Sequence, residues 1–127
     1  MRFIGVKLHN EIYQTMKDRD DHRTGTIVVD DSGFQVIDTK RNRNLVRWSE
    51  VWRIQAFKRD LFAVDLICFQ LYLDGTEQIV EVDEQMDGFA AFEKILPEKF
   101  KGFDPDWFPK VANPAFAPNL TEIWIRP

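Results

Sequence analysis

Between Asp65 and Leu73 apolar side chains recur at every second position, with Ile67, Phe69, Leu71 and Leu73 on one face. A period of two is the period of an extended strand. Asp74-Gly75 follows at once, and this dipeptide suits the two-residue loop of a β-hairpin, where positive φ is required. Ile79 to Val82 then supplies a returning strand. A chain that makes this commitment in its middle folds around an antiparallel sheet.

The pattern extends upstream. Ile4, Val6 and Leu8 suggest a first strand, and Ile12 and Met16, four apart, suggest a short helix before a polar loop over Lys17 to Arg23. Thr26 to Asp30 and Phe34 to Asp38 read as a hairpin around Asp31-Ser32-Gly33, with Gly33 supplying positive φ. Lys40 to Asn44 is a second polar turn, and Leu45 to Trp48 returns as a strand. Ser49 is expected to cap a single helical turn. Trp52, Ile54 and Ala56 alternate with Arg53, Gln55 and Phe57, and Lys58 to Ala63 turns the chain.

After residue 83 the period changes. Met86, Phe89, Phe92 and Leu96 follow helical spacing, which predicts an amphipathic helix near 85–96 that Asp83 or Asp87 caps and Pro97 ends. From 98 onward prolines and rings dominate. Asp104-Pro105-Asp106 reads as the start of a short helix carrying Trp107, Phe108 and Val111. Asn113 to Asn119 is extended, and Thr121 to Ile125 alternates as an edge strand. A tail with Phe100, Phe103, Trp107, Phe108, Phe116 and Trp124 is too rich in rings for disorder and is expected to wrap over the core.

With 127 residues there is room for one domain, read as strands over 1–83, a helix over 84–97 and a wrapping tail over 98–127. The expected fold is mainly β (α+β): about seven antiparallel strands in a partly closed barrel or sandwich, with one helix covering an open end. That order resembles the pleckstrin-homology-like superfold. Val46-Arg47-Trp48-Ser49-Glu50-Val51-Trp52-Arg53-Ile54 is similar to the strand, Trp-Ser/Asp turn and strand of small bacterial domains of this type. The chain also resembles a set of uncharacterised bacterial proteins over roughly 25–126. The shared features are that turn, the loop Arg59-Asp60-Leu61-Phe62 with Asp65, and an ending like Asn119, Thr121, Trp124 and Arg126. The resemblance implies a fold and no activity.

Composition removes several classes of function. Cys68 is the sole cysteine, so no disulfide forms within the chain. The start, Met1-Arg2-Phe3-Ile4-Gly5-Val6-Lys7, lacks the apolar core of a signal peptide, and no apolar run approaches a membrane span, so a cytoplasmic location is expected. Asn119-Leu120-Thr121 then reads as a turn and not a glycosylation site. Histidines are two, His9 and His22. The loop Asp18-Arg19-Asp20-Asp21-His22 reads as solvated and not as a metal site. Cys68 lies in the strongest strand as an apolar filler. Ser32 and Ser49 have no nucleophile-elbow context, and the glycines are scattered over turns, so neither a catalytic serine nor a phosphate loop is expected. Glu81, Asp83, Glu84 and Asp87 cluster at the strand-to-helix junction and are read as caps, not as an acid–base pair.

Charge is distributed unevenly. Residues 1–60 hold 12 Lys/Arg and 9 Asp/Glu, a sum of +3, and residues 61–127 hold 5 and 12, a sum of −7. The basic half concentrates between 40 and 59. Candidate binding residues are Arg41, Arg43, Arg47, Trp52, Arg53, Phe57, Lys58 and Arg59. Arg41, Arg43 and Arg47 share parity and would point to one side of a strand, and Arg53 and Arg59 would join them if the two strands pair. The competing reading is a solvated sheet face neutralised by Asp38, Glu50, Asp60 and Asp65. A pI near 5.2 with interleaved acids argues against nucleic acid. Phe57, Leu61 and Phe62, and Phe116 among its prolines, are either contact material or rings tucked under the tail.

These features favour a non-enzymatic, cytoplasmic protein-binding domain of adaptor or immunity type, with no cofactor and no metal. The alternative is anion or phospholipid-headgroup binding through the basic strand face. In pleckstrin-homology-like domains the first hairpin loop usually carries the basic residues, and here it carries Asp30 and Asp31. A small carboxylate-based enzyme ranks last. A homodimer through the tail's edge strand is a further option.

Overall fold

The computed structural model describes residues 25–61 and 64–127. Among the described residues seven strands form two antiparallel sheets. The first sheet has the order β1-β2-β3, from Thr26–Val29, Gly33–Ile37 and Arg43–Arg47. The second has the order β6-β5-β4-β7, from Val51–Asp60 (β4), Asp65–Leu73 (β5), Ile79–Asp83 (β6) and Thr121–Ile125 (β7). Helix α1 runs Phe89–Lys99 and α2 runs Trp107–Ala112. The strands make two sheets and not one closed barrel. The expected strand at Ile4–Leu8, the helix at Ile12–Met16 and the histidine loop lie outside the described residues, as does Phe62. The strand count of seven is therefore reached with β7.

The core lies between the sheets and under α1. Its axis is a run of rings: Phe34 sits 5.3 Å from Trp48 and 5.0 Å from Phe92, Trp48 5.8 Å from Phe100, and Phe100 4.6 Å from Trp124. Such edge-on and tilted contacts are the preferred geometry of aromatic pairs. Both indoles are also satisfied: Trp48 Nε1 donates to Asp30 O at 3.0 Å and Trp124 Nε1 to Lys101 O at 2.8 Å. The tail is thus pinned to the core by Phe100, Phe103, Trp107 and Trp124, all buried. Phe108 and Phe116 differ, at 52% and 57% exposed.

Several local expectations are corrected. Gly33 does not have positive φ; the residue in that region nearby is Arg41, at φ 73°. Gly33 is required because a Cβ there would run into the Val46 carbonyl oxygen across the β2–β3 pair. The first turn is instead closed by Asp30, whose Oδ1 accepts from the main chain of Ser32 and Gly33 at 2.8 and 3.0 Å. The helical turn spans Trp48–Glu50 with Arg47 at its N-cap position, not Ser49, and Glu50 Oε1 accepts the Arg47 N–H at 2.8 Å. Strand β4 continues to Asp60, beyond the expected turn at Lys58, because Lys58, Arg59 and Asp60 remain in register with Ile67, Leu66 and Asp65. Helix α1 begins at Phe89, after the N-cap Gly88 in the left-handed region at φ 90°, and passes through Pro97 to Lys99. A proline removes one N–H but does not prevent the Phe100 N–H from reaching Leu96 O at 3.0 Å. Gly88, and neither Asp83 nor Asp87, holds the N-cap position.

Candidate functional site

The eight candidate residues are distributed over both sheets. Strands β3 and β4 do not pair, so Arg53 and Arg59 do not join Arg43 and Arg47 on one surface. Three different environments result.

On β4 the basic residues are engaged within the fold. Arg53 donates through Nε and Nη2 to Glu122 of β7 at 3.0 and 2.7 Å. Its guanidinium lies 5.1 Å from the Tyr72 ring and 5.9 Å from Trp52. Trp52 reaches that face because the register shifts between Val51 and Arg53, which breaks the expected alternation with Ile54. Arg59 meets Glu81 of β6 at 2.7 Å and lies 4.8 Å from the half-buried Phe57 ring. Phe57 itself packs on a small cluster of Leu61, Leu66 and Cys68.

Lys58 is the reverse of a surface cation. It is 4% exposed, and its ammonium donates to Ala112 O at 2.7 Å and Pro114 O at 2.8 Å and pairs with Asp65 at 3.2 Å. Its main-chain N–H also binds Pro118 O at 2.8 Å. Asp65 in turn accepts the Phe116 N–H at 2.8 Å. That bond and the Lys58 charge hold its carboxyl below the usual carboxylate range. Phe116 is kept at φ 58°, an unusual backbone for a bulky residue, with its ring outside. Lys58 is therefore a clasp for the tail, its ammonium engaged within the fold.

The acidic cluster is also redistributed. Glu81 faces Arg59, Asp83 Oδ1 accepts the Gln85 N–H at 2.9 Å, and Glu84 accepts the Ile67 N–H at 2.7 Å. Burial pushes the Glu81 carboxyl above its usual value despite Arg59, and the nearby Asp83 charge adds to the rise. Burial likewise pushes the Cys68 thiol well up, helped by Glu81 and Asp83. A thiol in that state is a poor nucleophile. Among the described residues no group of three or more His, Cys, Asp or Glu is placed to hold a metal ion. No described helix is long and apolar enough to cross a membrane.

The third environment is β3. Val46 points inward at 2% exposed, opposite Phe34, and so Arg43, Leu45 and Arg47 point outward. Leu45 is 70% exposed. Across the sheet the same face carries Gln35 and Ile37 of β2 and the exposed Val28 of β1. Arg43 Nη1 donates to Gln35 Oε1 at 3.2 Å, a neutral partner. Neither Arg43 nor Arg47 has an ion pair among the described residues. Arg41 is exposed in the β2–β3 turn, where its N–H binds Asp38 O at 2.9 Å; being outside the strand, it does not follow strand parity. From 38 to 50 the chain has four basic residues and two acids, so this edge is locally positive on an acidic molecule.

From the sequence, the expected neutralising carboxylates are Asp38, Glu50, Asp60 and Asp65. Of these Asp65 does pair with Lys58 of β4, while Arg53 takes Glu122 and Arg59 takes Glu81, neither of them in that set. Glu122, 69 residues from Arg53, had no local signal. The terminal motif residues are structural as well. Asn119 Nδ2 binds Val111 O and Pro114 O, each at 3.0 Å, and Thr121 Oγ1 binds Asn119 O at 2.8 Å. Arg126 pairs with Asp74 at 2.8 Å and donates to Ser49 O and Val51 O. Compared with family models, curated proteins and solved structures, the chain finds no match.

Proposed function

We propose that this chain is a non-enzymatic, cytoplasmic protein-binding domain, of adaptor or immunity type, whose contact surface is the outer face of β1–β3. One observation carries the reading: Arg43, Leu45 and Arg47 stand in a row, exposed, while Arg53, Lys58 and Arg59 are each paired with a carboxylate of the chain itself. An exposed leucine between two guanidinium groups that have no ion pair among the described residues suits an acidic protein surface, where charge steers association and the apolar centre holds it. The two-sheet order followed by a helix supports the pleckstrin-homology-like resemblance. The headgroup alternative loses three of its cations to internal pairs and retains Arg41, Arg43 and Arg47. The enzyme reading loses Glu81, whose carboxylate is bound by Arg59.

The test is affinity capture from source-cell lysate with the native chain and with Arg43→Glu/Arg47→Glu, after circular dichroism shows both folded. A partner retained at low salt, released at high salt and lost in the double variant supports the reading. Equal retention by both chains counts against the surface. Sedimentation with anionic vesicles, abolished by the same substitutions and accompanied by no retained protein, would favour the headgroup alternative.

A further inference from the structure

We infer that the partner engages β3 as an extended acidic segment that adds to its free edge as a further strand. This rests on the reading of β1–β3 as the contact surface and specifies what that surface takes.

The ladder parity sets the edge. In the β2–β3 pair the Trp48 N–H reaches Ser32 O at 3.1 Å and the Asp38 N–H reaches Asn42 O at 3.0 Å. With Phe34 opposite Val46 and Val36 opposite Asn44, the main chain of Asn44 and Val46 faces β2. The N–H and C=O groups of Arg43 and Leu45 therefore face away from it. Among the described residues nothing hydrogen-bonds to them from that side.

Other edges are treated differently. β1 is closed by residue 87: the Ile27 N–H binds Asp87 O at 2.7 Å and the Asp87 N–H binds Gly25 O at 3.0 Å. On β7, Ile123 O accepts the Asp104 N–H at 3.1 Å. Strand β6 is buried from Val80 to Asp83. β3 alternates exposed and inward positions and keeps the donors and acceptors of Arg43 and Leu45 outward, while the outward N–H of Arg47 is taken by Glu50 Oε1 at 2.8 Å.

Charge selects the occupant. A second copy adding antiparallel about Leu45 would set Arg43 of one chain against Arg47 of the other, and facing like charges oppose pairing. An extended segment with acids at its first and fifth positions and an apolar residue at the third sets carboxylates against Arg43 and Arg47 and covers Leu45. Main-chain bonds then give affinity, and the alternating side chains give selectivity.

The probe is a capped, fluorescently labelled peptide, Glu-Thr-Val-Thr-Glu, read by anisotropy. The native chain is expected to bind it. Arg43→Glu/Arg47→Glu should weaken binding at least tenfold, and so should a lysine-for-glutamate peptide. N-methylation of the peptide Val, which removes a donor and leaves charge intact, should also cost at least tenfold. Leu45→Pro removes an outward N–H and no ladder bond, and should do the same. If that variant fails to fold, the N-methyl peptide on the native chain makes the same measurement. Binding that responds to charge but not to N-methylation overturns strand addition and leaves the contact surface standing. No binding of the probe overturns strand addition, and lysate capture decides the surface separately. Binding indifferent to charge reversal overturns both.

Discussion

On β4, Arg53 meets Glu122 of β7 and Arg59 meets Glu81 of β6, whereas on β3 the guanidinium groups of Arg43 and Arg47 meet no carboxylate among the described residues. The same side chain is consumed in one sheet and left available in the other. Topology makes the difference. β4 lies inside its sheet, and β7 beside it and β6 beyond β5 both supply acids within reach. β3 is an edge with a single neighbour, and that neighbour sets Gly33 against Arg47 and Ile37 against Arg43. An arginine is free for a partner where the sheet runs out of strands to neutralise it.

The sharpest test of this contrast is Lys58→Met. Removing the ammonium orphans two carbonyls and a carboxylate in a buried place, so unfolding in urea should show a loss of about 3–5 kcal/mol. A loss below about 1 kcal/mol would mean that the tail is held without its clasp.

Next is Glu81→Gln, which removes the carboxyl that Arg59 meets at 2.7 Å. A loss of about 2 kcal/mol is expected for hydrogen bonds to a charged group. Its pH dependence has a defined sign. The folded-state value of Glu81 is raised above the usual 4.5, so its contribution is full below 4.5 and is lost as pH rises through the folded value. The stability gap between native chain and variant should be wider at pH 4 than at pH 7.

Glu122→Gln should behave oppositely, with a smaller effect of about 0.5–1 kcal/mol, as for an exposed pair. Hydrogen bonds from Arg53 hold this carboxyl below its usual 4.5, so its contribution is present above 4.5 and is lost as pH falls through the folded value. The gap should be wider at pH 7 than at pH 3. Urea titrations at these pH values decide both signs, and parallel trends in the two variants would break the comparison.

The smallest effect belongs to β3. Arg43→Glu/Arg47→Glu should change stability by no more than about 0.5 kcal/mol, because the side chains bear no ion pair among the described residues. A change above about 1.5 kcal/mol would show that they serve the fold.

What the sequence makes legible follows the range of the interactions involved. The β1–β2 hairpin, the alternation of β5 and the helical spacing of Phe89, Phe92 and Leu96 are local, and all three appear in the structure. The outward direction of Arg43 and Arg47 follows from parity alone. The bulge that turns Trp52 toward Tyr72 has no marker in Val51-Trp52-Arg53. The burial of Lys58 depends on carbonyls more than fifty residues away. Glu122 and Glu81 become neighbours of β4 only through strand order, which local pattern does not encode. Parity could group Arg41 with Arg43 and Arg47, but the left-handed backbone at Arg41 removes it from the strand.

Strand β4 is held at both ends by what lies far downstream: Lys58 by Ala112, Pro114 and Pro118, and Val51 by Arg126. Its β7 side therefore stays bare until residues 121–126 have left the ribosome. During synthesis, a ten-residue strand waits with one row of amides open while some sixty further residues are added. Strand order thus ties completion of the larger sheet to translation speed, and leaves that row of amides open to stray pairing in the interval.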